Sequence, residues 1–175
     1  MNLFLLRHGL AGERHSGGND AERPLTKPGR DEIARAAVAM RHLELNFDVI
    51  LSSPYIRARE TATIVANALG MEDRLRFSPA LEPATSSDAI FRVVRALAPG
   101  PQNSLLVGHE PSLSHFASWL LFGHETSALV LKKGGFCKLT IEADDHDHRA
   151  TLNWWLTPRQ LQIIANALPS KMENL

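Results

Sequence analysis

Two histidines and two arginines in this chain stand where chemistry could be done. The apolar run Leu3-Phe4-Leu5-Leu6 gives way at once to Arg7, His8 and Gly9. Ser104-Leu105-Leu106-Val107 passes in the same way into Gly108, His109, Glu110 and Pro111. Arg57 follows a third short run, Asp48-Val49-Ile50-Leu51-Ser52, across the turn Ser53-Pro54-Tyr55. An imidazole serves as nucleophile or proton carrier near neutral pH. A guanidinium presents a rigid fork of donors that suits an oxyanion such as phosphate. Two of each, with no obvious set of metal-binding carboxylates, describe a site for a doubly charged oxyanion and fit phosphoryl transfer through a histidine nucleophile. Gly9 is read with them, because glycine lets the backbone turn sharply and approach a ligand closely.

For these residues to meet, distant segments must converge. Short apolar runs bounded by turns read as buried strands, and in open α/β sheets ligands bind outside the carboxyl ends of the strands. Strands are expected over residues 2–7, 48–52, 75–78 and 104–107. Helices are expected between them. Thr26-Lys27-Pro28-Gly29 opens the first, with Thr26 as candidate N-cap, and Ile33, Ala36, Ala37, Met40 and Leu43 recur at helical spacing. The second runs from Ile56 to about Leu69 and stops at Gly70. Ser86 or Ser87 opens a third that runs through Leu97; residues 112–122 form a fourth, stopped by Gly123, in which Pro111 suits the first position. Residues 135–143 and 149–156 alternate like a hairpin, with Trp154 and Trp155 on opposite faces, and residues 158–168 form a last helix. The expected fold is α/β: a single three-layer domain over residues 1–175, with a mostly parallel central sheet and helices on both faces.

Arg57 falls in the first turn of its helix, where a cation opposes the macrodipole and makes sense if an anion sits between them. Arg59 points to another face and is assigned to the surface or to a supporting place behind the pocket. Residues 8–27 are polar and glycine-rich and read as a long loop over the end of the first strand. Its Arg14, His15, Asp20 and Arg23 lie within reach of the pocket, but each is read as a solvated loop charge.

Composition narrows the function further. The 175 residues are 44% hydrophobic and 22% charged, with Lys plus Arg equal to Asp plus Glu at 19 each. Zero net charge argues against a broad electrostatic grip on nucleic acid or on an anionic membrane. The single cysteine, Cys137, excludes a disulfide within the chain and reads as a buried structural thiol. The N-terminal apolar run is too short for a signal peptide and no stretch approaches a transmembrane helix, so a cytoplasmic location is expected. Asp144-Asp145-His146-Asp147-His148 reads as a solvated hairpin turn in preference to a metal site.

Leu6-Arg7-His8-Gly9, Ser53-Pro54-Tyr55-Ile56-Arg57-Ala58-Arg59-Glu60-Thr61-Ala62 and Val107-Gly108-His109-Glu110-Pro111 together resemble the signature set of the histidine phosphatase superfamily, the phosphoglycerate mutase-like proteins. Arg23-Pro24-Leu25-Thr26-Lys27-Pro28-Gly29 and Asn153-Trp154-Trp155-Leu156-Thr157-Pro158 resemble its short phosphohistidine phosphatase branch, the SixA type. The resemblance implies that His8 accepts the phosphoryl group and that Arg7, Arg57 and His109 form the phosphate pocket, with no metal or other cofactor. It also favours Arg57 over Arg59, since Ala58 and Thr61 fit the family frame. A carboxylate in the loop after the third strand serves many members as general acid; Glu82 is the nearest candidate, with Asp88 and Glu110 as others. The expected substrate is phosphohistidine on a signalling or phosphotransfer protein, because imidazole leaves more easily than an alkoxide and the short span from Arg57 to His109 leaves little room for an enclosing insertion. The alternatives are a phosphatase of a small phosphomonoester and a non-catalytic phosphate-binding module.

Overall fold

A computed structural model of the chain describes residues 1–13, 18–97, 100, 102–141 and 150–167. Six strands form one sheet: β1 Asn2–Arg7, β2 Val49–Ser52, β3 Leu75–Phe77, β4 Asn103–Gly108, β5 Phe136–Ile141 and β6 Ala150–Leu156. Their spatial order is β3-β2-β4-β1-β5-β6. The pairs β3–β2, β2–β4 and β4–β1 are parallel, while β5 runs antiparallel to β1 and to β6. The sheet is thus mostly parallel, with the C-terminal hairpin closing one side. Five α-helices connect or follow the strands: α1 Lys27–His42, α2 Ile56–Leu69, α3 Ser87–Ala96, α4 Ser112–Phe122 and α5 Pro158–Ala167.

The inner strands β1, β2, β4 and β5 are buried on both faces because their side chains alternate between two apolar layers, while the edge strands β3 and β6 are half-buried or exposed. Phe4 and Leu6 of β1 join Ile50, Leu105, Val107 and Phe136 in a core under α1, α2 and α5. Leu3 and Leu5 join Leu51, Leu106, Cys137 and Leu139 in a second core under α3 and α4. Trp154 packs on Phe136 with ring centroids 5.0 Å apart, on the side that carries Leu161 of α5, and Trp155 packs against the opposite core. Cys137 is buried there, and burial pushes its thiol up from the ordinary value, consistent with a structural role.

Helix ends follow their local chemistry. The Thr26 side chain accepts from the Gly29 amide at the start of α1, and the Ser86 side chain accepts from the Ala89 amide at the start of α3. Gly70 and Gly123 end α2 and α4 in the left-handed conformation, at φ 68° and 79°. Several bounds differ from the expectation: β3 ends at Phe77, α3 at Ala96, and Pro111 sits at the N-cap of α4 instead of its first position. The turn Asp144 to His148 lies outside the described residues. Among the described residues no helix is long and apolar enough to cross a membrane.

The register carries the functional consequence. Arg7 lies beside Gly108, and Ser52 lies beside Val107. Pairing continues one residue further on each side: the His8 amide donates to the Gly108 carbonyl at 3.1 Å and the Ser53 amide to the Val107 carbonyl at 2.9 Å. His8, Ser53 and His109 therefore emerge together at the carboxyl edge of the three central strands.

Just past His8 the chain is pressed against α1. A Cβ on Gly29 would collide with the Leu10 carbonyl oxygen, a backbone atom that also accepts from the Thr26 amide at 2.9 Å. Neither side of that contact is a flexible side chain, so relief requires moving α1 off the strand tip. Gly29→Ala is expected to destabilise the protein by roughly 1–3 kcal/mol, the usual cost of overpacking. Urea unfolding measures it, and an unchanged midpoint would show that the two segments shift apart freely.

Candidate active site

His8 is held by its backbone before its ring does anything. The Arg7 amide donates to the Gly135 carbonyl at 3.1 Å, and the Gly134 amide is shared between the Arg7 and His8 carbonyls, each at 3.1 Å. The ring Nδ1 lies 2.7 Å from the Gly9 carbonyl. A carbonyl only accepts, so Nδ1 carries the proton and Nε2 presents a lone pair. That lone pair accepts from Arg57 Nε at 3.2 Å. Burial pushes the His8 imidazole down to about 3; the Gly9 carbonyl opposes the shift, and the charges of Arg57, Arg7 and Lys133 add to it. The ring is neutral at physiological pH.

Arg57 is placed by the first turn of α2. One turn on, the Thr61 hydroxyl donates to the Arg57 carbonyl at 2.8 Å and accepts from the Gly9 amide at 3.1 Å, which ties α2 to the tip of β1. The guanidinium lies over the Tyr55 ring, 5.0 Å from its centroid, and is buried. Its Nη1 donates to the Asp20 carbonyl at 2.6 Å and its Nη2 to Asp20 Oδ2 at 2.9 Å.

His109 completes the group. Its ring centroid is 5.0 Å from that of His8, its Nε2 is 2.9 Å from Ser53 Oγ, and the Tyr55 ring packs edge-on at 5.2 Å. Its Nδ1 is buried without a hydrogen-bond partner among the described residues. Burial pushes this imidazole down to about 2, helped by His8, Arg57 and Arg7 and opposed by Asp20. Arg7 acts on both histidines electrostatically; its Nη1 donates to the Leu131 carbonyl at 2.9 Å, while its Nε is buried and unpartnered among the described residues. Leu131 is itself anchored, its amide donating to Ser114 Oγ at 3.0 Å and that hydroxyl donating to Glu110 Oε1 at 2.6 Å.

The four residues singled out from the sequence thus gather at one sheet edge, but three expectations about their neighbours change. Asp20 is not a solvated loop charge. The loop is not featureless: Ala11 bridges to Leu25, and Asn19 caps a 3-10 helix, Asp20–Glu22, that turns Asp20 onto Arg57. Arg23 is likewise engaged, donating to Asp20 Oδ1 at 2.6 Å. Gly9 is a packing and tethering residue: its amide is committed to Thr61, its φ is not positive, and a Cβ there would lie 2.8 Å from Ile33 Cγ1. Arg14 and His15 lie outside the described residues.

The candidate acids separate. Glu82 follows a 3-10 helix, Pro79–Leu81, whose Leu81 carbonyl passes 3.4 Å from where a Cβ on Gly108 would sit, so Glu82 reaches the same sheet edge. Its half-buried side chain has no hydrogen-bond partner among the described residues. Asp88 faces solvent and pairs with Arg92 at 2.6 Å. Glu110 is engaged with Ser114, and burial raises its carboxyl despite the Ser114 hydroxyl and the Arg7 charge. Arg59 is exposed and covers the Phe77 ring, as its helical position implied.

Two buried neutral imidazoles make stability depend on pH. Unfolded histidines take up protons near pH 6.5, whereas His8 and His109 resist them far below that. The unfolded state therefore binds more protons over this window, and their contribution, fully present above pH 6.5, is lost as pH falls toward 3. The expected slope is on the order of 1 kcal/mol per pH unit for each histidine. Urea midpoints at pH 7.5 and 4.5 should show it, and His109→Gln should flatten it; an unchanged slope in that variant would remove His109 as a contributor.

The arrangement is a buried neutral imidazole whose Nε2 lone pair faces the Arg57 guanidinium, with the His109 ring and Arg7 beside it. Residues 3–82 match the family model of the histidine phosphatase superfamily (branch 1). An uncharacterized protein of Picosynechococcus sp. (strain ATCC 27264 / PCC 7002 / PR-6) is 34% identical over 167 residues, spanning 90% of this chain and 100% of that one. The phosphohistidine phosphatase SixA of Escherichia coli (strain K12) is 26% identical over 164 residues, spanning 93% and 98%. A solved structure of the protein histidine phosphatase SixA with tungstate superposes with a TM-score of 0.81 at 25% identity, over 92% of this chain and 99% of that one. Kinship along nearly the whole length, with two histidines and two arginines gathered at one sheet edge, leads to one conclusion: the chain belongs to the histidine phosphatase superfamily.

Proposed function

We propose that this protein is a phosphohistidine phosphatase in which His8 is the nucleophile, Arg7, Arg57 and His109 hold the phosphoryl group, and no metal takes part. One observation carries the reading: the Gly9 carbonyl fixes the His8 proton on Nδ1, so the Nε2 lone pair points toward Arg57. A binding module needs no such nucleophile. In the first step Nε2 attacks phosphorus in line, the new N–P bond forms as the substrate's N–P bond breaks, and the departing imidazole nitrogen takes a proton. The guanidiniums and His109 stabilise the charge on the equatorial oxygens. In the second step water attacks phosphorus, the His8 N–P bond breaks, and orthophosphate leaves with Nε2 again unprotonated.

Glu82 is the candidate proton donor in its protonated form, since its carboxyl group has no hydrogen-bond partner among the described residues and lies along the loop that crosses the end of β4. An imidazole leaving group needs less help from an acid than an alkoxide does. Between α2 and β4 the described residues hold β3, α3 and short 3-10 turns, with no inserted element to wall in a small sugar. The SixA relatives, named as phosphohistidine phosphatases, support the same substrate class. The test compares kcat/KM on a phosphohistidine-bearing phosphotransfer domain with that on a panel of sugar and other small phosphomonoesters. Preference for the protein substrate is expected; preference for the panel would overturn the assignment.

A further inference from the structure

Arg57 is occupied from within the chain. Of its donors, Nε serves His8, while Nη1 and Nη2 both serve Asp20, through the carbonyl and the carboxylate. The guanidinium side chain is only 6% exposed, against 27% for Asp20, so Asp20 lies between the buried fork and solvent. Arg23 holds the other carboxylate oxygen at 2.6 Å. We infer that Asp20 sets the affinity of the phosphate site: it is an internal carboxylate that competes with the phosphoryl group for Arg57 and must be displaced for that group to bind. The inference rests on the phosphate-binding role proposed for Arg57.

The physical argument is one of shared sites. A carboxylate and a phosphoryl dianion on one buried fork repel each other, and the charges of both must be satisfied by the same donors. Asp20 does not yield by taking a proton at neutral pH: burial pushes its carboxyl up, but the hydrogen bonds from Arg23 and Arg57, and their charges, outweigh that and hold it below its ordinary value. It yields to a stronger ligand for the fork. Apparent affinity is then the intrinsic affinity multiplied by the fraction of molecules in which the fork is released. The same fraction applies to every ligand that needs the fork, so Asp20 weakens the hold on orthophosphate and on the substrate's phosphoryl group alike.

The alternative role, in which Asp20 orients Arg57 to receive phosphate, predicts the opposite sign. The experiment measures competitive inhibition by orthophosphate and calorimetric binding of tungstate for wild type, Asp20→Asn, Asp20→Ala and the double variant Asp20→Ala/Arg23→Ala. Orthophosphate is expected to bind about tenfold more tightly to Asp20→Ala. Asp20→Asn should gain less, because its amide oxygen still accepts from Nη2 without the charge. The gain should persist in the double variant; its loss there would credit the released Arg23 and overturn the proposal. Unchanged or weaker binding in Asp20→Ala would overturn it as well. Arg57→Ala separates the two readings: if it leaves tungstate binding unaltered, the phosphate-binding role of Arg57 has itself failed.

Discussion

Replacing His8 with alanine is expected to reduce turnover by on the order of 10⁴-fold or more, since removal of a covalent nucleophile leaves only binding and electrostatic stabilisation. The same substitution should abolish an acid-labile phosphoenzyme that wild type forms on brief incubation with phosphorylated substrate and rapid quenching. The two readouts belong together. His8 also accepts the Arg57 Nε–H, so its loss disturbs the clamp as well as the chemistry. Residual tungstate binding by His8→Ala would show that the clamp survives and that the missing phosphoenzyme reflects the missing nucleophile. A wild type that is never phosphorylated, paired with a His8→Ala variant that binds phosphate normally, would make the protein a binding module. Because the ring is neutral well below pH 6.5, the wild-type enzyme should keep its nucleophile competent in mildly acidic assays, where an unshifted histidine would be lost to protonation.

What sequence reveals about this site depends on the range of the interaction involved. Arg7, His8 and His109 are legible because each follows an apolar run whose length and composition mark a buried strand. Parallel pairing of those strands then brings their ends together. Arg57 is legible as an unfavourable placement, a cation in the first turn of a helix. Its neighbours are set by longer-range geometry. Ser53 reads as part of a turn, and only the register of β2 against β4 turns its hydroxyl into the partner of His109. Thr61 fits the family frame, yet its bond to the Gly9 amide depends on how α2 packs on β1. Asp20 lies in a stretch with no apolar period to read, and its inward turn comes from an Asn19 cap four residues before a paired arginine. The Leu131 carbonyl that receives Arg7 has no side-chain signature at all. Gly9 reads as a point of close approach, and its contacts with Ile33 and the Gly29 carbonyl depend on how α1 packs on the tip of β1. In each of these cases the residue type was visible while the partner depended on an assembled fold.

The sharpest discrimination within the clamp comes from two arginines that stand two positions apart. Arg57→Ala is expected to lower kcat by roughly 10²–10³-fold, about 2.7–4 kcal/mol of transition-state stabilisation, the usual loss for one donor aimed at developing charge. Arg57→Lys should recover little of it. A lysine offers a point charge in place of a fork, and the fork here spans His8 on one side and Asp20 on the other. Arg59→Ala, by contrast, removes an exposed guanidinium lying over Phe77 and should stay within about twofold of wild type, since surface substitutions of this kind are nearly neutral. Steady-state kinetics on the three variants, with thermal unfolding as a check on the fold, decides between them. Equal losses at positions 57 and 59 would mean that general surface charge governs turnover, and the assignment of Arg57 to the phosphoryl group would fall. A second dependence follows from the geometry. Asp20 reaches the proposed chemistry through Arg57, so in an Arg57→Ala background the further change Asp20→Ala should alter orthophosphate affinity far less than it does in wild type. Non-additivity of that kind separates a carboxylate that competes for the fork from one that acts on His109 directly, whose effect would persist after the guanidinium is gone.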